Sequence, residues 1–482
     1  MVIKFLLWIK TMSEKEFIDS LRSFYNHIKK NTLVPFDVNE KKEEVLKQLY
    51  KDIQNQTYQP SLPREYIISN KSNYVSRIVP TFLLRDYCLY FYCINSLQAF
   101  LCNDAERIEG TFGGWQISNP IKSIEDLEKD ELIDCCEWYE YISVSSLSLS
   151  QWIKNWKEFS KLSYAKSLEF SSRYGVDDYV IAVFDIANFY DNIKFDILEN
   201  KLRLKCQSGE QNKIIDLLMY FLKYWNKPFE GYAPKSVGLP QEETGDCSRI
   251  LANFYLREYD GEIKNLCKKY QCDYMRFADD MTIFAPDKKT AEYILFEASK
   301  YLHKLGLNIN CSKVRFFNKV DFQIYQAFEI LSLLDDGKNR EDFNNAVSMY
   351  FKNKDEDKIF REDRVIRRII SILASKNNNF LNMNYKERLF NELLCEETLS
   401  TSNEYYFKKV HKIMSNDGKE EDFFAKLDSL ANYINFNSYH YQLLRFYKKV
   451  KRKDFDETFL WKEIEKRKVF SPHNTSEARY NQ

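Results

Sequence analysis

The chain has 482 residues, which is long enough for two or three domains and a large core. Lys and Arg together number 71, and so do Asp and Glu, which excludes a protein that attracts nucleic acid with its whole surface. Eleven cysteines without a Cys-x-x-Cys pair exclude a zinc knuckle and favour free thiols in a reducing cytoplasm. The apolar run Phe5–Ile9 is too short to span a bilayer, so we expect no membrane contact.

The first hundred residues predict helices on either side of a strand pair. Residues 14–55 are charged and place apolar side chains such as Phe17 and Leu21 on one helical face. A strand-like segment follows at 64–80, and the apolar stretch Leu83–Leu101 has the content of a buried helix.

The segment 106–150 differs in composition from its neighbours. It holds the sequence Gly110-Thr111-Phe112-Gly113-Gly114-Trp115, then an acidic run and a Ser-rich patch. Glycines around an aromatic ring can let backbone approach a ligand, but a plain turn explains a short Gly-rich stretch better. We interpret the segment as an insertion between two larger units.

An aspartate ends a predicted buried strand in the middle of the chain. Tyr179–Phe184 is an unbroken apolar run of strand length, and Asp185 follows it. Central strands that are covered on both faces have this pattern.

Two adjacent aspartates lie on a predicted strand–turn–strand unit. Phe277-Ala278-Asp279-Asp280 separates the apolar runs Cys272–Met275 and Met281–Ala285. Adjacent carboxylates repel each other unless a cation holds them, and a lone pair of this kind is usually just solvated. Beside Asp185, however, the pair would surround one pocket that suits Mg²⁺, which prefers oxygen ligands. Two such ions would activate a 3′-hydroxyl and stabilise a leaving pyrophosphate.

From about residue 335 to the end, the pattern is helix after helix. Two basic clusters in this region fit a solvated helix face as well as a groove for a phosphate backbone. The clusters are Arg364, Arg367 and Arg368, and Lys448, Lys449, Lys451, Arg452 and Lys453. The region has no zinc-finger spacing and no His-rich nuclease box, so a separate nuclease domain is not supported.

Five sequence boxes, in order, resemble the motifs of reverse transcriptases. The resemblance covers about residues 60–320 and is nearest to the bacterial retron, group II intron and abortive-infection branch. The boxes are Arg77-Ile78-Val79-Pro80 (fingers motif), Phe184-Asp185-Ile186-Ala187-Asn188-Phe189-Tyr190-Asp191-Asn192-Ile193 (motif A), Gly238-Leu239-Pro240-Gln241 with Ser248 and Leu251–Leu256 (motif B), Phe277–Asp280 (motif C), and Leu305–Asn310 with Lys313 (motif D).

The resemblance implies an α+β fold, a right-hand polymerase with fingers and palm followed by an all-helical C-terminal domain. That last domain would be helical-repeat-like, as in abortive-infection relatives, although no clean internal period proves repeats. The expected boundaries are 1–60 for an N-terminal helical segment, 61–175 for the fingers with the insertion at 106–150, 176–330 for the palm, and 331–482 for the C-terminal domain.

The resemblance also implies catalytic roles. Asp185 and Asp279 would bind Mg²⁺, and Asp280 would either bind metal or only shape the turn. Lys313 matches the motif D lysine, a proton donor to pyrophosphate, with a plain surface lysine as the alternative.

Three further residues match substrate contacts of the family. Arg77 matches the residue that clamps the triphosphate of the incoming dNTP, since cation–phosphate pairing is strong. Tyr190 would lie under the ribose and exclude a 2′-hydroxyl. Gln241 would face the nascent base pair.

The implied function is an RNA-directed or template-restricted DNA polymerase that acts in defence against phage. Its expected partners are a non-coding RNA template, the DNA product, dNTPs and a second copy of the chain in a homo-oligomer. Two alternatives stay open: a retron-like or intron-derived reverse transcriptase that copies a dedicated RNA, and a nucleic-acid-binding scaffold with an inactive palm. The intact Asp185 and Asp279 argue against the scaffold.

Two features suggest unusual DNA synthesis. Glu242 and Glu243 follow Gln241, where the family usually has glycine, and two carboxylates would repel a template phosphate. Some abortive-infection relatives make DNA of restricted sequence without a conventional template or primer, and some attach it to a protein side chain. Tyr480, in a polar tail, is our candidate priming residue.

Overall fold

The computed structural model describes residues 12–36, 41–72, 74–113, 146–175, 178–226, 238–241, 246–335, 339–376 and 380–468. Within these ranges, helices surround a two-stranded and a five-stranded sheet, so the fold class is α+β. None of the described helices is both long enough and apolar enough to cross a bilayer.

The first three helices pack against one another. They are α1 (Glu14–Asn31), α2 (Lys42–Gln54) and α3 (Leu84–Leu101). Phe17 and Leu21 are buried between them, which confirms the predicted apolar face. α3 is buried along most of its length, as its apolar content requires.

The predicted strand-like segment forms an antiparallel hairpin, which we call the fingers hairpin. It consists of β1 (Glu65–Ser72) and β2 (Val75–Thr81), and Ser69 lies opposite Arg77.

The main sheet has the strand order β3-β5-β6-β4-β7. β3 pairs with β5 in parallel, and the other pairs are antiparallel. Ile181 and Val183 of β4 face one core, while Ala182 and Phe184 face another, which explains the unbroken apolar run. The strands are β3 (Thr111–Phe112), β4 (Val180–Asp185), β5 (Asp273–Phe277), β6 (Asp280–Ala285) and β7 (Arg315–Phe317).

The start of the predicted insertion at 106–150 belongs to this sheet. β3 lies beside β5, and the two flanking glycines have positive φ values of 84° at Gly110 and 87° at Gly113. A Cβ at Gly110 would lie 2.9 Å from the backbone oxygen of Tyr274, so only glycine fits. The glycines therefore serve close strand packing, a signal that composition alone does not distinguish from a turn. Residues 114–145 lie outside the described residues.

Helices connect the strands of the main sheet. The longest of those that follow β4 is α8, and its apolar face extends to its last turns, where Ile263 and Cys267 are buried. A long helix before β4, α4, packs Phe159 and Phe170 on the sheet. The helices are α4 (Ser146–Tyr174), α5 (Phe189–Asn192), α6 (Phe195–Lys205), α7 (Gly209–Tyr224), α8 (Asp246–Lys269) and α9 (Lys288–Lys304).

From residue 319 onwards, the regular elements in the described ranges are all helical. Their core also contains Ile67, Ile68 and Val79 of the fingers hairpin, so the hairpin and the C-terminal helices are packed as one body. The helices are α10 (Lys319–Tyr325), α11 (Phe328–Asp335), α12 (Arg340–Asp355), α13 (Glu362–Lys376), α14 (Met383–Leu393), α15 (Glu396–Ser400), α16 (Glu404–Ser415), α17 (Glu420–Ala431), α18 (Asn437–Val450) and α19 (Glu457–Lys466).

Candidate active site

Ala278 and Asp279 form a two-residue turn between β5 and β6, and Asp280 is the first residue of β6. Phe277 pairs with Asp280 across the hairpin, and Ala278 adopts a left-handed conformation with φ of 53°. The backbone N–H of Ala278 donates to the backbone oxygen of Phe112 at 3.1 Å. β3 thus fixes the turn from one side.

A buried arginine connects the same turn to helix α8. Arg276 is 1% exposed and donates to Asp260, which is 2% exposed, with an Nε–Oδ1 distance of 2.8 Å. It also donates to the backbone oxygen of Ala278 at 2.7 Å and to the Asn253 side chain at 2.9 Å. Helix α8 is therefore bound directly to the turn. We did not predict this residue, although a charge inside an apolar strand signals a buried partner.

The predicted carboxylates converge at the ends of β4 and β6. Asp185 is 5% exposed and lies opposite Asp280 in the strand register. Burial raises the pKa of Asp279 well above its usual range, and the nearby carboxylates of Asp185 and Asp280 raise it further. The Oδ1 atom of Asp185 is buried without a hydrogen-bond partner. The three carboxylates therefore lie close enough together for Asp185 and Asp280 to disfavour a charge on Asp279.

Lys313 contacts the first of these carboxylates. Its Nζ lies 2.6 Å from Oδ2 of Asp185, and the backbone N–H of Asn310 donates to the backbone oxygen of Asp185 at 2.7 Å. Burial favours a lower pKa for Lys313, but the hydrogen bond and charge of Asp185 outweigh it, so the pKa is raised. The motif D segment is thus attached to the end of β4.

Asp280 has a different partner, which lies far along the chain. Nη2 of Arg361 lies 3.1 Å from Oδ2 of Asp280. Among the described residues, no group of three or more His, Cys, Asp and Glu side chains is arranged to hold a metal ion. Asp185 raises the pKa of Asp279 more than Asp280 does, and the carboxylate of Asp280 is paired with the arginine.

The fingers hairpin places one cation, Lys71 of β1, within electrostatic range of Asp185 and Asp279. Lys71 and the half-buried Arg77 of β2 line a small cavity whose other walls include Ser400 and Ser438 of the C-terminal helices. Burial lowers the pKa of Lys71, and so do the charges of Arg77 and Lys313, while Asp185 and Asp279 raise it. The hairpin thus faces the carboxylates. The sequence boxes identified Arg77 but not Lys71, which carries no signal beyond its charge.

Tyr190 and the motif B loop are in direct backbone contact. Tyr190 is half-buried on α5, and its backbone oxygen accepts from the N–H of Leu239 at 2.9 Å. A Cβ at Gly238 would overlap that oxygen, so glycine is required there. The hydroxyl of Ser248 donates to the backbone oxygen of Pro240 at 2.6 Å and fixes the loop before Gln241.

The first predicted basic cluster does not form a surface for nucleic acid. Arg364, Arg367 and Arg368 are buried, so the first basic cluster is neither a solvated face nor an open groove. Burial is possible because these guanidiniums find internal partners, such as the backbone oxygen of Leu334 for Arg368. Glu242, Glu243 and Tyr480 lie outside the described residues.

Most of the second basic cluster is also paired internally. Ion pairs join Lys448 to Glu457, Lys449 to Glu404, and Arg452 to Asp428. Each pairing reduces the positive charge that the surface offers to a phosphate, which favours the solvated face over the groove.

Residues 151–334 match the model of the family described as reverse transcriptase (RNA-dependent DNA polymerase). These residues are thus similar to a reverse transcriptase domain. The chain is also 34% identical over 101 residues to the retron Ec83 reverse transcriptase of Escherichia coli. That match covers 20% of this chain and 30% of the relative.

Solved structures similar to this chain include two telomerases. Apo telomerase from Candida tropicalis is 12% identical with a TM-score of 0.33, over 87% of this chain and 74% of that one. Telomerase from Candida albicans, in complex with a fragment of telomeric RNA, is 12% identical with a TM-score of 0.36, over 87% and 65% of the two chains.

Proposed function

We propose that the chain is an RNA-directed DNA polymerase whose reaction centre is formed by Asp185 and Asp279. The observation that carries the proposal is the convergence of these two carboxylates beside Lys313, with Lys71 of the fingers hairpin near enough for their charges to raise its pKa. A pocket with carboxylates on one side and cations on the other suits a metal-bound triphosphate. The reverse transcriptase domain supports the same reaction class.

Asp185 and Asp279 fit a divalent metal. Both supply carboxylate oxygens, which Mg²⁺ prefers, and the buried Oδ1 of Asp185 has no hydrogen-bond donor of its own. When bound, Mg²⁺ supplies Lewis-acid activation of a 3′-hydroxyl and charge stabilisation of pyrophosphate.

The protein's own residues bind and orient the substrate in this proposal. Lys71 and Arg77 pair with the triphosphate of a dNTP, and Lys313 positions Asp185 and remains the predicted proton donor to pyrophosphate. Tyr190 restricts the space beside the ribose and so favours deoxynucleotides. Gln241 borders the nascent base pair.

Replacing Asp279 by Asn tests the proposal. The change removes a charge but keeps the shape, so we expect incorporation of labelled dNTP to fall by at least about 10³-fold, since metal ligands contribute several kcal/mol to the transition state. Asp287→Asn is the matched control, because Asp287 caps α9 far from the site and Asn caps helices equally well. Full activity of the Asp279 variant would refute the site and favour the scaffold function.

The identity of the template distinguishes two forms of the proposed function. The similarity to the retron Ec83 reverse transcriptase favours a dedicated non-coding RNA as template. The alternative is template-restricted synthesis in defence against phage, primed by a protein hydroxyl such as that of Tyr480. Sequencing the nucleic acid that copurifies with the chain distinguishes them, because a retron-like enzyme carries one RNA and its complementary DNA. A peptide remnant on the 5′ end of the DNA would instead identify protein priming, and its position would test Tyr480.

Gel filtration with light scattering tests the expected homo-oligomer.

A further inference from the structure

Asp280 is bound by a residue outside the sheet that carries it. Its side chain is 34% exposed, and its Oδ2 lies 3.1 Å from the guanidinium of Arg361, which is 18% exposed. The two residues are 81 positions apart in the sequence. An arginine from the C-terminal helices thus neutralises the second aspartate of the turn, close to Asp185 and Asp279.

Arg361 is itself held in place. Its backbone N–H donates to the backbone oxygen of Tyr325 at 3.0 Å, and its guanidinium lies 5.2 Å from the centre of the Tyr325 ring. Tyr325 in turn stacks on Phe317 of β7 at 4.8 Å, beside the strand that ends in Asp185. The arginine is therefore a fixed point and not a loose surface side chain.

A second arginine from the same segment supports the other end of the turn. Arg364 lies 3.7 Å from the centre of the Trp156 ring, and Trp156 meets Phe277 edge-to-face at 4.7 Å. Phe277 and Asp280 are the cross-strand pair that closes the turn. Two arginines, three residues apart, thus support both flanks of the turn that carries Asp279.

We propose that Arg361 is a positioning residue that anchors Asp280, so that the C-terminal helices set the geometry of the turn. Asp280 is then an anchor and not a metal ligand, which leaves metal binding to Asp185 and Asp279. This inference rests on the proposed polymerase function for its effect on catalysis, but the anchoring contact exists independently of it.

Amide hydrogen exchange over residues 273–285 tests the anchor directly. In Arg361→Gln, we expect exchange at the turn to speed up by about tenfold, because a hydrogen bond to a charged group is lost. Asp280→Asn breaks the same bond from the partly exposed side and should give the same increase. Arg388→Gln is the matched control, since Arg388 pairs with Asp355 elsewhere in the C-terminal helices. Unchanged exchange in both test variants would overturn the proposal.

Kinetics and metal binding supply the second readout. We expect Arg361→Gln and Asp280→Asn each to lower kcat about tenfold with little change in the KM for dNTP, and the double variant to be no worse than either single one. Mn²⁺ binding, followed by electron paramagnetic resonance, should persist in Asp280→Asn and be lost in Asp279→Asn. The proposal would be overturned if the double variant lost kcat by the product of the two single effects, or if Asp280→Asn no longer bound Mn²⁺. A wild-type chain that makes no DNA would refute the polymerase function, while the exchange experiment would still decide the anchor.

Discussion

Arg276 is the residue on which the geometry of the turn depends most. It joins the motif C strand to Asp260 and Asn253 of α8, and it is almost fully buried. A buried ion pair is weak support for stability in itself, because desolvation offsets the attraction between the charges. Losing one partner is a different matter, since the other charge then remains buried without compensation.

We therefore expect Arg276→Met to lower the free energy of unfolding by about 3–5 kcal/mol, because Asp260 would stay buried and unpaired. Urea unfolding followed by circular dichroism measures this change. Arg22→Gln removes an exposed pair with Asp19 and should cost no more than about 1 kcal/mol. Equal effects of the two variants would show that the buried network is not stabilising the fold.

Asp86 gives the stability a pH dependence. Burial raises the pKa of this carboxyl to about 6, although hydrogen bonds from Tyr58 and Ser61 partly oppose the rise. Its pKa in the unfolded chain is about 3.9, so the folded state holds the proton more tightly. The stabilisation that protonated Asp86 gives the folded state is fully present below about pH 4, and it is lost as the pH rises through about 6.

Asp86→Asn should remove this dependence, because the amide stays neutral at every pH. We expect the difference in unfolding free energy, variant minus wild type, to rise by about 2–3 kcal/mol between pH 4 and pH 7. Urea unfolding at several pH values measures this difference. Asp19→Asn, exposed on α1, is the control and should show no such gain. A constant difference between Asp86→Asn and the wild type would contradict the prediction.

At the residue scale, pattern sufficed only where the side chain ends a strand. Asp185 and Asp279 follow apolar runs, and the topology then brings them together. Lys71 and Arg361 have no such local signal, because their importance comes from contacts with distant segments. Sequence order contains no information on those contacts until the fold is known.

At the scale of elements, an asparagine of the C-terminal helices binds the backbone of the fingers hairpin. The amide of Asn437, at the start of α18, accepts from the N–H of Ile68 at 2.7 Å and donates to the backbone oxygen of Tyr66 at 3.1 Å. It therefore satisfies backbone groups of β1 on the side away from β2, as a neighbouring strand would.

Asn437→Ala should leave both backbone groups buried and unpaired. We expect a loss of about 2–5 kcal/mol in stability, since each unsatisfied group costs about 1–3 kcal/mol, and faster amide exchange over residues 65–72. Asn432→Ala is the control, because Asn432 is exposed and its side chain donates to the backbone oxygen of Asp428 within its own helix. Unchanged exchange in β1 would show that the apolar contacts alone hold the hairpin.

At the scale of the whole molecule, the apolar residues of the palm strands lie in two clusters and most of those of the C-terminal helices in a third, and the boundary expected near residue 331 stays a prediction. The third cluster also contains five apolar residues from the first eighty positions, and hydrogen bonds join segments 369 residues apart. The five residues are Leu33, Val34, Ile67, Ile68 and Val79. The helical spacing of apolar residues predicted the helices, but this spacing does not indicate which helix packs against the hairpin.

A chain cut after residue 335 should therefore not fold to a stable polymerase. Exposing each of the five side chains costs about 1.5–3 kcal/mol, which together is comparable to the total stability of a domain, about 5–15 kcal/mol. Circular dichroism and dNTP incorporation by the truncated chain measure the effect, and adding residues 336–482 as a separate chain should restore both. A truncated chain that melts at the wild-type temperature would contradict the shared core.

The contact between Gly238 and Tyr190 has a consequence for how this enzyme evolves. The loop that precedes Gln241 rests on the backbone of the residue proposed to discriminate sugars, without room for a side chain between them. Any change that shifts the loop to accommodate another template also shifts Tyr190. Under the roles proposed for Tyr190 and Gln241, template preference and fidelity toward deoxynucleotides are therefore not separately adjustable traits, and selection on one carries the other with it.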